Sequence, residues 1–109
     1  MIITANNLSD LNNILTNANN NNQVVILDTY AKWCKPCSMI SPYFESLSNN
    51  PHYNNIIFVK VDIDNATDIN DYLYPKSLPT FYVFKNLIKI NEYSGSNKND
   101  LETFINKYA

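Results

Sequence analysis

The hydrophobic positions along the chain predict alternating strands and helices. Continuous apolar runs at residues 24–27 and 56–61 indicate two strands covered on both faces. A shorter apolar segment at residues 1–4 suits a first strand. Residues 80–84 and 88–93 flank Lys85, Asn86 and Leu87 and are predicted to form a hairpin.

Four helices are predicted between and after these strands, from apolar residues spaced three or four apart. The first follows an N-cap at Asn6 or Asn7, and the third, at residues 65–73, follows a cap at Asn65. Pro42 is expected to kink the second helix. The apolar stripes of the first, second and last helices are Leu8/Leu11/Leu15/Ala18, Pro36/Ile40/Phe44/Leu47 and Leu101/Phe104/Ile105/Tyr108.

This order of elements, β-α-β-α-β-α-β-β-α, predicts the α/β class. Two doubly covered strands joined through a helix favour parallel pairing, and the hairpin adds antiparallel strands at the C-terminal end of the chain. No linker or internal repeat divides the sequence, so residues 1–109 are expected to form a single domain.

Composition narrows the classes of function. The chain has twenty Asn, no Arg and one Gly, and its net charge is −2. This balance argues against a nucleic-acid partner, and the short apolar runs argue against a membrane span. Residues 1–5 lack a basic, apolar leader, so we expect a reducing, cytoplasmic location (the host cytoplasm or the virion for a viral protein). The Asn excess fits AT-rich codon usage better than a function.

The two cysteines, Cys34 and Cys37, are the strongest chemical signal. They lie where a strand is predicted to end and a helix to begin. A zinc site needs four ligands, and only the distant His52 is available besides the two thiols, so no metal is expected unless two subunits share a site. A disulfide that closes so short a loop constrains the unfolded chain very little. The spacing therefore favours a redox pair.

The helix start favours reactivity at Cys34. Unpaired N–H groups and the positive end of the helix dipole stabilise a thiolate there. Lys32 and Lys35 either add to this positive charge or are simply solvated. Pro36 suits the first helical turn because its φ is fixed and it needs no N–H partner there. Cys37, one turn on, is expected to be the more buried thiol.

Five motifs in order resemble those of the thioredoxin family, over nearly the whole chain. Residues 28–37 match D-x-(aromatic)-A-x-W-C-x-P-C, and residues 60–64 resemble the K-x-D-x-D end of a strand. Pro42 matches a kinking proline of the active-site helix, residues 78–80 match (apolar)-P-T with a cis proline, and Gly95 matches a glycine before the last helix. The resemblance implies a central mixed sheet flanked by four helices.

The resemblance also implies catalytic roles. Cys34 would be the nucleophile and Cys37 the resolving cysteine. Asp28 would accept the proton of Cys37 through water, although it also suits a local hydrogen-bond acceptor at a strand end. Lys60 is a candidate partner of Asp28, and a solvated edge lysine is the alternative. Pro36 would keep the geometry of the motif.

A shallow groove for client proteins is implied as well. It would consist of Cys34 and Pro36 together with four further residues, Trp33, Leu78, Pro79 and Gly95. Trp33 would be an exposed platform, with ordinary core packing as the alternative. The Leu78 backbone beside cis Pro79 would pair with an extended client segment.

The implied activity is reduction of protein disulfides by a Cys34–Cys37 dithiol. No bound cofactor is expected; electrons would come from an NADPH-dependent flavoprotein, a thioredoxin reductase, and the protein would act as a monomer. One alternative is a disulfide oxidant or isomerase of a secretory compartment. Another is a binding module or assembly subunit that keeps the fold without turnover.

Three residues depart from the family pattern. Lys35 replaces the commoner glycine between the cysteines, which bears on redox potential and reductase recognition. Thr29 stands where a bulky aromatic residue is usual. Leu87 replaces the glycine of an Asn-Gly turn, and because Leu disfavours positive φ, the hairpin turn is predicted to be longer than two residues or of another type.

Overall fold

The two doubly covered strands form the middle of a five-stranded sheet. The computed structural model describes residues 1–109. Its strands are β1 (Ile2–Thr4), β2 (Val24–Tyr30), β3 (Ile56–Asp62), β4 (Thr80–Lys85) and β5 (Ile88–Ser94), in the spatial order β1-β3-β2-β4-β5. The first three strands pair in parallel, and β4 runs antiparallel to both β2 and β5. The predicted mixed α/β sheet is confirmed.

Four α-helices flank this sheet: α1 (Leu8–Asn20), α2 (Lys35–Ser48), α3 (Thr67–Leu73) and α4 (Lys98–Asn106). A single 3₁₀ turn, Pro51–Tyr53, precedes β3. Asn7 caps α1, because its side-chain oxygen accepts a hydrogen bond from the Asp10 N–H at 2.8 Å. Pro42 lies inside α2. No helix combines the length and the apolar character that crossing a bilayer requires.

The cap predicted at Asn65 is wrong. Helix α3 starts two residues later, after Ala66, and has no side-chain cap. Asn65 lies in the turn that follows β3, where its N–H donates to the Asp62 carbonyl at 3.1 Å. Its side-chain amide donates to Asn6 Oδ1 at 3.1 Å. The Asn65 side chain, which the sequence pattern assigned to the helix cap, therefore joins two loops instead.

The core consists of two layers, one on each face of the sheet. On one face, α1 and α3 pack through Leu11, Leu15 and Ile69. On the other face, α2 and α4 pack through residues that include Phe44 and Leu101. The alternation of side chains along each strand sends successive residues into opposite layers. The sheet is therefore covered on both faces. The two cysteines lie outside these layers, at the end of the sheet where β2 stops and α2 starts.

The predicted hairpin turn is also wrong. Lys85 pairs with Ile88, so only Asn86 and Leu87 connect β4 and β5. Both have positive φ, 54° and 68°, as a type I′ turn requires. A type I′ turn matches the right-handed twist of the two paired strands, so the strands impose positive φ on both turn residues. For the exposed Leu87, this left-handed backbone conformation costs about 1–2 kcal/mol.

Candidate active site

The cysteine pair lies at the junction of β2 and α2. Cys34 is the N-cap of α2, and a disulfide joins it to Cys37, with 5.3 Å between their Cα atoms. The Cys37 N–H points at Cys34 Sγ across 3.2 Å. A thiolate at Cys34 would therefore face a backbone donor and the positive end of the helix dipole. The pair fits a C-x-x-C redox site.

Both cysteines are buried in the oxidised protein. Cys34 is 5% exposed and Cys37 3% exposed, so Cys37 is the more buried by a small margin. The two pack with Ala31 in a small cluster that Ile63 and Leu78 border. The disulfide is therefore accessible mainly at Cys34, which borders the groove described next.

A groove of about 510 Å³ lies beside the pair. Trp33, Cys34, Pro36 and Leu78 line it, and all four belong to the predicted client-binding surface. Pro79 and Gly95 lie outside its lining. The lining also contains residues that sequence reasoning did not include, namely Lys35, Ile63, Pro75, Lys76 and Ser77. Pro75–Ser77 directly precede Leu78, so their place in the chain was the available signal.

Trp33 is an exposed side chain and not part of the core. It is 71% exposed, and its indole Nε1–H donates to Asp64 Oδ2 at 2.8 Å. Asp64 follows β3, which neighbours β2 in the sheet. This hydrogen bond holds the ring at the rim of the groove, where its apolar face is accessible.

The peptide bond between Leu78 and Pro79 is cis. Pro79 is buried, and its carbonyl accepts a hydrogen bond from the Gly95 N–H at 3.2 Å. Gly95 has φ 149°, and a Cβ at this position would lie 2.7 Å from Tyr93 Oη. Gly95 therefore binds the Pro79 carbonyl through its backbone N–H and does not itself line the groove.

Asp28 is a buried carboxyl group inside β2. It lies two residues after Ile26, so its side chain is on the sheet face covered by α2, the helix that carries Cys37. It is 4% exposed, and its Oδ1 has no hydrogen-bond partner. Burial raises the pKa of Asp28 from 3.8 to about 7, although the charge of Lys60 acts to lower it.

The alternative role of Asp28, a hydrogen-bond acceptor at a strand end, would need a donor at its carboxyl group, and Oδ1 has none. Lys60 is directly opposite Asp28 in the parallel pairing of β2 and β3. Its side chain is exposed, and the one ion pair of the structure joins Lys89 to Glu92. Lys60 therefore forms no ion pair with Asp28, and its nearby positive charge only lowers the pKa of that carboxyl group.

The structure contains no group of three or more His, Cys, Asp and Glu side chains arranged to hold a metal ion. His52 lies far along the chain in the 3₁₀ turn, with its Nε2 3.1 Å from Asn106 Oδ1. It belongs to a separate polar contact with α4.

Comparisons with known proteins agree on one family. A family model described as Thioredoxin matches residues 4–107. The chain is 40% identical to a thioredoxin from Ictalurus punctatus over 108 residues, which cover 99% of each protein. Among solved structures, a thioredoxin from Plasmodium falciparum has a TM-score of 0.88 at 32% identity and covers 98% of this chain and 99% of its own. One from Malassezia sympodialis has a TM-score of 0.89 at 30% identity, with 98% and 92% covered.

Proposed function

Because this chain belongs to the thioredoxin family, it is a thiol–disulfide oxidoreductase that reduces protein disulfides, and we propose that Cys34 and Cys37 carry the reaction. The observation that carries the proposal is the disulfide itself, which lies at the start of α2 and borders the groove. Pro36 supports it by shaping the first turn of the helix between the two cysteines.

The reaction has two exchange steps. The Cys34 thiolate attacks one sulfur of the client disulfide; that bond breaks, a mixed disulfide forms, and the other client sulfur leaves as a thiolate that takes up a proton. Cys37 then loses its proton and attacks Cys34 Sγ. The mixed disulfide breaks and the second client thiol leaves. The client gains two electrons and two protons, and Cys34 and Cys37 end as a disulfide.

Asp28 is proposed as the acceptor of the Cys37 proton, through water. A carboxyl group with a pKa of about 7 exchanges protons near neutral pH, which is what a general base at that pH requires. Its position under α2 and the unpartnered Oδ1 support this role. Lys60 is proposed to tune Asp28 from the neighbouring strand, because its positive charge favours the ionised carboxylate.

The groove is proposed to bind an extended segment of the client. The indole of Trp33 and the side chain of Leu78 would contact its apolar side chains. The Leu78 backbone, before cis Pro79, would pair with its main chain. Gly95 would hold this strand end in place through its bond to the Pro79 carbonyl.

We also propose the setting in which the protein works. It acts as a single thioredoxin domain and a monomer, without a bound cofactor. An NADPH-dependent flavoprotein, a thioredoxin reductase, returns the disulfide to the dithiol. The dithiol cycle needs such a reductant, and this requirement supports the cytoplasm as the location, or the host cytoplasm or virion if the source is viral.

Reduction of insulin disulfides under dithiothreitol tests the proposal. The wild type is expected to accelerate precipitation of the insulin B chain, whereas Cys34→Ser is expected to match the rate of dithiothreitol alone. Ser41→Ala, an exposed position on α2 that makes no side-chain hydrogen bond, is the control and should keep full activity. If the wild type were no faster than Cys34→Ser, the enzyme assignment would fail and a binding module would remain.

A further inference from the structure

The groove beside the cysteines contains two cations and no acidic side chain. Lys35 and Lys76 line it, and its other lining residues are uncharged. Both lysines are exposed, and neither belongs to the ion pair of the structure, which joins Lys89 to Glu92. Their ammonium groups are therefore available to a bound molecule.

Two carboxylates near the groove accept hydrogen bonds from neutral N–H groups. Asp64 accepts the indole N–H of Trp33, and Asp62 accepts the backbone N–H of Asp64 at 3.0 Å. Neither lines the groove. The two charged side chains that line the groove are therefore both positive, although the whole chain has a net charge of −2.

We propose that the groove selects client segments that carry Asp or Glu beside their disulfide, and that Lys35 and Lys76 determine this specificity. The inference rests on the proposed role of the groove in binding clients. Lys35 follows Cys34 directly, so it lies beside the sulfur that attacks. Lys76 lies on the loop before Leu78, the proposed pairing segment. A client carboxylate next to its cysteine would meet one or both ammonium groups.

The expected preference is moderate and depends on salt. An exposed ion pair contributes about 0.5 kcal/mol, and a tenfold change in a rate constant requires about 1.4 kcal/mol. Two such pairs together therefore change the rate constant by about fivefold. Exposed charges are screened within about 10 Å at 0.1 M salt and within about 3 Å at 1 M. The preference for acidic segments should therefore shrink as salt is added.

Three peptides with the same intramolecular disulfide, flanked by Glu, Gln or Lys, provide the test. Pre-reduced protein is mixed with each peptide and quenched with an alkylating reagent, and mass spectrometry gives the second-order rate constant for its oxidation. The wild type is expected to react about fivefold faster with the Glu peptide than with the Gln peptide at low salt, and nearly equally at about 0.5 M salt.

Two double variants locate the effect. Lys35→Gln/Lys76→Gln should lose the preference, and Lys35→Arg/Lys76→Arg should keep it. The control Lys85→Gln/Lys107→Gln makes the same change in net charge at exposed lysines outside the groove and should also keep the preference. The ratio of rates separates specificity from any general effect of Lys35 on Cys34.

Equal rates for all three peptides with the wild type would overturn the inference while leaving the reductase activity intact. An unchanged ratio in Lys35→Gln/Lys76→Gln would also overturn it. If the wild type oxidised no faster than Cys34→Ser with every peptide, the proposed role of the cysteines would fail instead. These outcomes are distinguishable in one set of measurements.

Discussion

Replacement of Asp28 by Asn should stabilise the protein at high pH and not at low pH. The buried Asp28 carboxyl group has a pKa of about 7, whereas the value for an unperturbed Asp is 3.8. Well below pH 4 both the folded and the unfolded chain hold the proton, so the group adds no pH-dependent cost. As the pH rises from about 4 to 7, the unfolded chain releases a proton that the folded chain retains, so the free energy of unfolding falls.

The size of the effect follows from the same two pKa values. They differ by about three pH units, and each unit corresponds to about 1.36 kcal/mol, so the ionised Asp28 costs the folded state about 4 kcal/mol above pH 7. The group is 4% exposed, so solvent screens little of this cost. An Asn side chain has a similar shape and does not ionise. Any cost of burying its amide is the same at every pH.

Urea unfolding of the oxidised wild type and Asp28→Asn near pH 4 and near pH 9 measures the effect. The stability of the variant relative to the wild type should rise by about 4 kcal/mol between the two conditions. Asp71→Asn, at an exposed position on α3, is the control, and its relative stability should stay within about 0.5 kcal/mol. A difference for Asp28→Asn that is the same at both pH values would refute the reasoning.

Three further predictions concern the mechanism and the backbone. Asp28→Asn should slow the attack of Cys37 on the mixed disulfide by at least about tenfold above pH 7. The wild-type rate is expected to rise through about pH 7, and the variant should lack this rise. Rapid quenching measures both rates, and equal rates would exclude Asp28 from the step. Gly95→Ala should lower the free energy of unfolding by about 1–3 kcal/mol, because φ is 149° and the new Cβ meets Tyr93, whereas Ser96→Ala should change it little. Leu87→Gly should raise the free energy of unfolding by about 1 kcal/mol in urea titration, because φ is 68° and the side chain is exposed, and Leu87→Ala, which keeps a Cβ, should not.

Much of the fold follows from local pattern. The apolar runs at β2 and β3 and the stripes of α1, α2 and α4 are strong periodic signals, because both layers of the core need them. The C-x-x-C motif after a strand also locates the redox pair, because the geometry of this pair depends only on residues that are neighbours in the sequence. These parts of the structure could be predicted from the sequence.

The features that sequence reasoning missed depend on contacts between distant segments. Asn65 leaves the cap of α3 because Asn6, 59 positions away, accepts its amide. Leu87 takes a positive φ because the paired strands leave only two residues for the turn. Lys76 enters the groove because its loop folds against the start of α2. Local propensity contains none of these three constraints.

The central claim, that Cys34 is the nucleophile, is tested most directly by trapping its mixed disulfide. Cys37→Ser, pre-reduced and mixed with a peptide that contains one intramolecular disulfide, retains Cys34 as its only thiol. It should accumulate an adduct heavier by the mass of the peptide, which dithiothreitol releases. Cys34→Ser, treated in the same way, should form little adduct because Cys37, unlike Cys34, does not line the groove and is not at the N-cap of α2. Faster adduct formation by Cys34→Ser than by Cys37→Ser would contradict the account.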